Sequence, residues 1–123
     1  EETSLKMREM LRYVATNGTG RNADTPGYAV GGKTGTAEVP GPNGRYIKNA
    51  LRSSFAAVFP MHAPRYVVLV LMDQPKATKD TFGFATAGYT AAPQAGRIIQ
   101  RIAPLLGVPN IPVPTKLAAG PAP

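Results

Sequence analysis

The chain has 123 residues and carries 14 Lys and Arg against 7 Asp and Glu, a formal net charge of +7. It has no Cys and one His, which excludes a disulfide framework, a thiolate metal site, a cysteine nucleophile and any site built on a His pair. No apolar run approaches the ~18 residues needed to span a bilayer, and the length with 43% hydrophobic residues fits a single core-forming unit.

In chain order, the first element is a helix. Met7, Met10, Leu11 and Val14 recur at i, i+3, i+4 and i+7, which predicts a helix over about 4–16 with those four on its core face. Thr3 or Ser4 is the expected cap, and Asn17-Gly18 the expected left-handed stop. A polar loop runs from Gly18 to Pro26. Tyr28–Val39 is Gly-rich yet carries Thr and Val, and is expected to be an irregular strand whose glycines Gly31, Gly32 and Gly35 admit the close approach of another backbone. Leu51–Phe59 is the second expected strand and Tyr66–Met72 the third. The unbroken apolar character of the third implies burial on both faces. The short link Pro60–Pro64, which holds the lone His62 as an exposed turn residue, makes these two an antiparallel hairpin.

Residues 74–88 read as a polar and Gly/Ala loop. A second helix is expected to start at Pro93, bury Ala95, Ile98, Ile99 and Ile102, and end before Pro104. From Val108 to Pro123 five prolines fall in sixteen residues, an extended tail with no core of its own. The expected architecture is therefore α+β, a three-stranded antiparallel sheet flanked by helices over 1–107, with a Pro-rich tail over 108–123.

The fourteen basic residues are dispersed along the chain and not interleaved with aromatics, so the charge predicts a solvated surface and no nucleic-acid partner. Gly27 to Thr34 nominally satisfies G-x-x-x-x-G-K-T, with Asp73 as the acidic partner. A phosphate-binding loop needs a buried strand before its first glycine and a helix opening at its lysine. The polar run Asn22–Pro26 before, and Gly35, Pro40, Gly41 and Pro42 after, supply neither. A nucleotide-binding loop or a basic nucleic-acid-binding module remains the alternative reading.

The favoured reading puts Lys33-Thr34-Gly35-Thr36 on a strand. Alternation sends Thr34 and Thr36 to one face and Lys33 and Gly35 to the other. Gly35 leaves the strand edge open to an added peptide, hydroxyls and an ammonium suit a terminal carboxylate, and a backbone N–H at Thr36 suits a developing oxyanion. Ser53 and Ser54 lack a lysine three residues on and read as strand residues beside this box. Asp73 reads as a loop cap, and Arg45 and Lys48 as solvated.

The ordered succession Thr16-Asn17-Gly18-Thr19-Gly20, Tyr28 to Glu38 with its K-T-G box, Ser54–Pro60, Pro64–Val68, Asp73-Gln74-Pro75, Gly88 and Ala91-Ala92-Pro93 resembles the class B penicillin-binding proteins, above all their division-specific branch. The resemblance covers about residues 4–107. It implies part of a penicillin-binding transpeptidase or serine β-lactamase-like fold, and a serine acylated by a D-Ala-D-Ala stem peptide or by a β-lactam during septal peptidoglycan cross-linking. It implies no metal or other cofactor. Lys33 and Thr36 are the implied catalytic residues, Lys33 through the proton network and by attracting the substrate carboxylate, and Thr36 through an amide that is half the oxyanion hole. Lys33, Thr34, Gly35 and Thr36 are the implied substrate-binding residues. Neither S-x-x-K nor S-x-N occurs in the chain. The expectation is a C-terminal piece of a longer enzyme, inactive alone, whose partners are the rest of its own chain and the division machinery. An upstream anchor would place that enzyme on the periplasmic face of the inner membrane.

Overall fold

The computed structural model describes residues 1–113. Helix α1 (Glu2–Thr16) leads through a 3-10 turn (Arg21–Ala23) to strands β1 (Gly31–Pro40), β2 (Tyr46–Phe59) and β3 (Tyr66–Asp73), and helix α2 (Ala91–Ile102) follows. The strands form one antiparallel sheet in the order β1-β2-β3, as the α+β reading expected.

The faces of α1 are not those the periodicity suggests. Its buried residues are Arg12 and Ala15, while Met7 and Met10 are exposed and Leu11 and Val14 half-buried. The cause is polar. Arg12 Nη1 lies 2.5 Å from Asp24 Oδ1 and donates to the Val30 carbonyl at 2.6 Å, so the guanidinium fastens the helix to the segment entering β1. The helix starts at Glu2 without a side-chain cap. It closes through the Asn17 and Gly18 N–H groups on Tyr13 and Val14 carbonyls, with Asn17 at φ −129, not through a left-handed residue.

β1 starts at Gly31, later than its composition suggests. Ala29 sits at φ 47, and its carbonyl accepts the Met61 N–H at 2.9 Å, so Tyr28–Val30 form a buried crossing and not a ladder. β2 begins earlier than expected, at Tyr46, where it pairs with Pro40 after a register shift between Glu38 and Pro40. The exposed residues 46–49 form a two-stranded ribbon that projects from the core, which is why their polarity does not forbid a strand.

The alternate residues Ser53, Phe55, Ala57 and Phe59 of β2 are buried on the side that α2 covers. With Val30, Tyr28 and Ile99 they make the core. Here β3 departs from expectation. Tyr66, Val68, Val70 and Met72 pack on this core, but Val67, Leu69 and Leu71 are 69%, 68% and 66% exposed. Only one face of the sheet carries a helix over β3 in the described residues, so the apolar run is buried on one side. Ile98 of α2 is likewise exposed and Ile102 half-buried, whereas Ala95 and Ile99 are buried as expected. α2 opens at Ala91 with Pro93 in its first turn, and is capped at Ala103 before Pro104.

His62, expected to be exposed, is half-buried, and its Nδ1 is buried without a hydrogen-bond partner among the described residues. Beyond α2, Val108 is buried in the core, Asn110 Nδ2 donates to the Pro26 carbonyl at 3.0 Å, and the Ile111 N–H donates to Gly27. The rest of the expected tail, 114–123, lies outside the described residues.

Candidate active site

β1 is an edge strand among the described residues, so along one side its alternate backbone groups have no strand partner there. Its register on β2 sets where each box residue points. Thr34 lies opposite Phe55 and Thr36 opposite Ser53, on the face that α2 covers. Lys33 lies opposite Ala56 and Gly35 opposite Ser54, on the open face. Directly opposed residues share a face, so a row runs across the open side from Lys33 through Ala56 to Leu69.

On the covered side the threonines look into a cavity of about 550 Å³ between β1, the loop after α1 and the loop before α2. Three hydrogen bonds tie these segments. Thr19 Oγ1 and Thr34 Oγ1 are 3.0 Å apart, the Ala87 N–H donates to Thr36 Oγ1 at 3.2 Å, and Asn22 Nδ2 donates to the Gly88 carbonyl at 2.8 Å. Close approach is built in here: a Cβ on Gly88 would stand 2.6 Å from the Thr19 carbonyl oxygen. Thr19 lies in the Thr16–Gly20 segment that carries the family resemblance but had no site role assigned to it, and Asn22 and Ala87 belong to no motif of the sequence. The signal for Asn22 was its place in the polar turn segment after α1.

Lys33 is exposed and donates from Nζ to the Thr34 carbonyl at 2.9 Å. It does not line the threonine cavity. An amine so placed can receive or relay a proton on the open face, while the hydroxyls on the other face can hold a polar ligand group. Thus the box is split by the strand into two chemical sides. Gly35 is half-buried, and an added Cβ would meet Ser54 Oγ at 2.7 Å. At Gly32 a Cβ would overlap the Ala56 carbonyl oxygen. The backbone that Gly32 admits is therefore that of β2, within the sheet.

Ser53 is fully buried and its Oγ lies 2.8 Å from Thr90 Oγ1, while Ser54 Oγ donates to the Gly35 carbonyl at 3.4 Å. Both serve packing beside the box. The chain continues as strand through Lys33 and Thr34, so no helix N-terminus meets a phosphate there, and Asp73 pairs with Arg52 at 2.9 Å across the β2–β3 ladder. The nucleotide-binding alternative therefore falls. Arg45 and Lys48 are exposed. Among the described residues no three His, Asp or Glu side chains gather as metal ligands, and no helix is long and apolar enough to cross a membrane.

Comparison with known proteins agrees with this geometry. The chain matches the "Penicillin binding protein transpeptidase domain" family over residues 1–100. It is 49% identical over 116 residues to a probable peptidoglycan D,D-transpeptidase FtsI of Caulobacter vibrioides, covering 88% of this chain and 20% of that protein. It is 45% identical over 108 residues to the stage V sporulation protein D of Bacillus subtilis, covering 88% and 16%. Among solved structures, penicillin-binding protein 3 of Mycobacterium tuberculosis, complexed with ampicillin, superposes with a TM-score of 0.77 at 31% identity, over 98% of this chain and 28% of that one. The transpeptidase domain of penicillin-binding protein 3 from Burkholderia pseudomallei gives 0.69 at 38% identity, over 84% and 30%. The chain spans a fifth or less of the length of these two curated relatives.

Proposed function

Because the chain belongs to the penicillin-binding protein transpeptidase domain family, we propose that it is the C-terminal segment of a septal peptidoglycan D,D-transpeptidase. It supplies the K-T-G strand to an active site whose acylated serine and S-x-N box lie in a preceding segment. The observation that carries this reading is the two-sided strand: Thr34 and Thr36 face a cavity while Lys33 faces the opposite side of the sheet, where α1 lies against Gly31 and no helix lies over β3 among the described residues. On this reading the preceding segment covers the open face, bringing the serine and its own lysine against Lys33.

In the assembled site a D-Ala-D-Ala stem peptide, or a β-lactam in its place, adds along the free edge of β1. Lys33 holds and relays the proton between the serine hydroxyl and the leaving amine. The Thr36 N–H donates to the oxyanion of the tetrahedral intermediate, a contact typically worth about 3–4 kcal/mol in the transition state. Thr34 and Thr36 hydroxyls hold the peptide, and Gly35 keeps the edge clear. The reaction is acyl transfer: the serine ester forms as the terminal D-Ala leaves, and an acceptor amine then displaces the serine. The enzyme acts outside the cytoplasmic membrane, held there by a preceding anchor, among the proteins of the division machinery.

Incubation with a fluorescent penicillin followed by mass spectrometry tests the reading. The 123-residue chain alone is expected to form no penicilloyl adduct, since Ser53 is sealed in the core and neither Ser53 nor Ser54 has a lysine three residues on. The longer polypeptide is expected to form one upstream of residue 1. An adduct on Ser53 or Ser54, or none on the longer polypeptide, overturns the proposal.

A further inference from the structure

Among the described residues, Arg21 is the one basic residue that lines the threonine cavity, and no acidic residue lines it. The other polar groups facing it are hydroxyls and amides, including Thr19, Asn22, Thr34 and Thr36. The hydrogen bonds already described leave donors to spare. Thr36 Oγ1 is engaged only as an acceptor from Ala87, so its proton remains to be given. The Thr19–Thr34 pair uses one proton between two hydroxyls and leaves the other. The lining thus combines hydroxyl protons with one basic residue and, among the described residues, no acidic one, the donor set of an anion site.

The Arg21 backbone is also fixed. Its N–H donates to Gly18 at 3.3 Å, its carbonyl accepts from Asp24 at 3.2 Å, and its neighbour Asn22 is fixed to Gly88. Its side chain has no ion pair among the described residues, unlike Arg12 and Arg52, each of which is committed to an aspartate. A planar fork of this kind matches a carboxylate in two parallel hydrogen bonds, which an ammonium does not.

We propose that Arg21 binds the free C-terminal carboxylate of the donor peptide, and the carboxylate of a β-lactam in its place. The inference rests on the transpeptidase reading above and sharpens it. The two cations near the box divide the work across β1: Lys33 serves the proton on one face, and Arg21, with Thr34 and Thr36, holds the substrate's charge on the other.

The test compares benzylpenicillin with its methyl ester on the longer polypeptide, reading second-order acylation rates for wild type, Arg21→Gln and Arg21→Lys. Arg21→Gln is expected to slow acylation by the free acid about 10- to 100-fold while leaving the ester rate within about twofold, because only the acid presents the charge. Arg21→Lys, which keeps the charge and loses the fork, is expected to recover part of the loss. Equal loss with acid and ester marks a structural role and overturns the proposal. An unchanged rate with the acid overturns it too. So does a defect confined to transfer onto the acceptor, which would assign the carboxylate to the acceptor peptide. Wild type that neither compound acylates overturns the transpeptidase reading itself, and this inference with it.

Discussion

The hydroxyls of Thr19 and Thr34 meet at 3.0 Å across 15 residues of chain, and this contact joins the loop that ends α1 to the strand that carries the K-T-G box. The loop is thereby part of the site's wall. A double-mutant cycle with Thr19→Val and Thr34→Val is expected to show a coupling of about 1 kcal/mol in urea unfolding. Additive effects would mean that the two segments are held together only by packing.

Arg12→Ala removes the group that links α1, Asp24 and the Val30 carbonyl, and leaves the latter two without their charged partner. Breaking such a buried pair typically costs about 3–5 kcal/mol; Asp24 is partly exposed, so the lower end is expected. Met7→Ala, on the exposed side of the same helix, should change unfolding free energy by less than about 0.5 kcal/mol. Denaturation curves of the two variants invert the order that hydrophobic periodicity would assign.

The buried pair Ser53–Thr90 is unequal. Thr90 Oγ1 also lies 2.9 Å from the Thr86 carbonyl, so with Thr90 donating there, Ser53 donates to Thr90. Ser53→Ala leaves Thr90 its carbonyl and is expected to cost about 1 kcal/mol or less. Thr90→Val leaves the Ser53 hydroxyl buried without a partner and is expected to cost about 1–3 kcal/mol. Equal costs would refute this assignment of the protons.

Gly32→Ala places a methyl against the Ala56 carbonyl and the Phe55 ring. Overpacking of this kind typically costs about 1–3 kcal/mol. The β1–β2 ladder beside Lys33 should loosen, which hydrogen exchange of the Lys33 and Gly35 amides, on the side of β1 opposite the Thr36 N–H, would register as faster opening. Unchanged protection would show that the sheet absorbs the methyl elsewhere.

Leu69 separates the chain alone from the longer polypeptide proposed here. In the 123-residue chain, Leu69→Lys is expected to shift stability by less than about 0.5 kcal/mol, since the side chain is already mostly solvated. In the longer polypeptide, where the face is covered, it should cost several kcal/mol, on the order of burying an unpaired charge. Equal small effects in both would argue that nothing packs on that face.

Much of this arrangement was readable from residues. Strand alternation placed Thr34 and Thr36 together and Lys33 apart, and Pro93 and Pro104 marked the ends of α2 closely. What local pattern could not supply was coverage. Met10 and Leu69 look like core residues because apolar periodicity reports an intended burial, not whether a neighbour is present. Arg12 was hidden for the opposite reason: a charged residue enters a core only when a partner waits there, and Asp24 is twelve residues away. The cavity's other walls, at Thr19, Asn22 and Ala87, are set by loops brought together by tertiary packing, which leaves no periodic trace.

From Gly31 to Glu38 the pairing of β1 with β2 proceeds one residue for one residue, and the irregularity comes only afterwards, before Pro40. Parity along that stretch therefore acts as an address. One inserted or deleted residue between Gly31 and Thr36 would exchange the occupants of the two sides, presenting the ammonium to the cavity and the hydroxyls to the open face, with every side chain still present. Length errors in this strand are thus more damaging than most substitutions in it, and the tolerance for them begins where the bulge does.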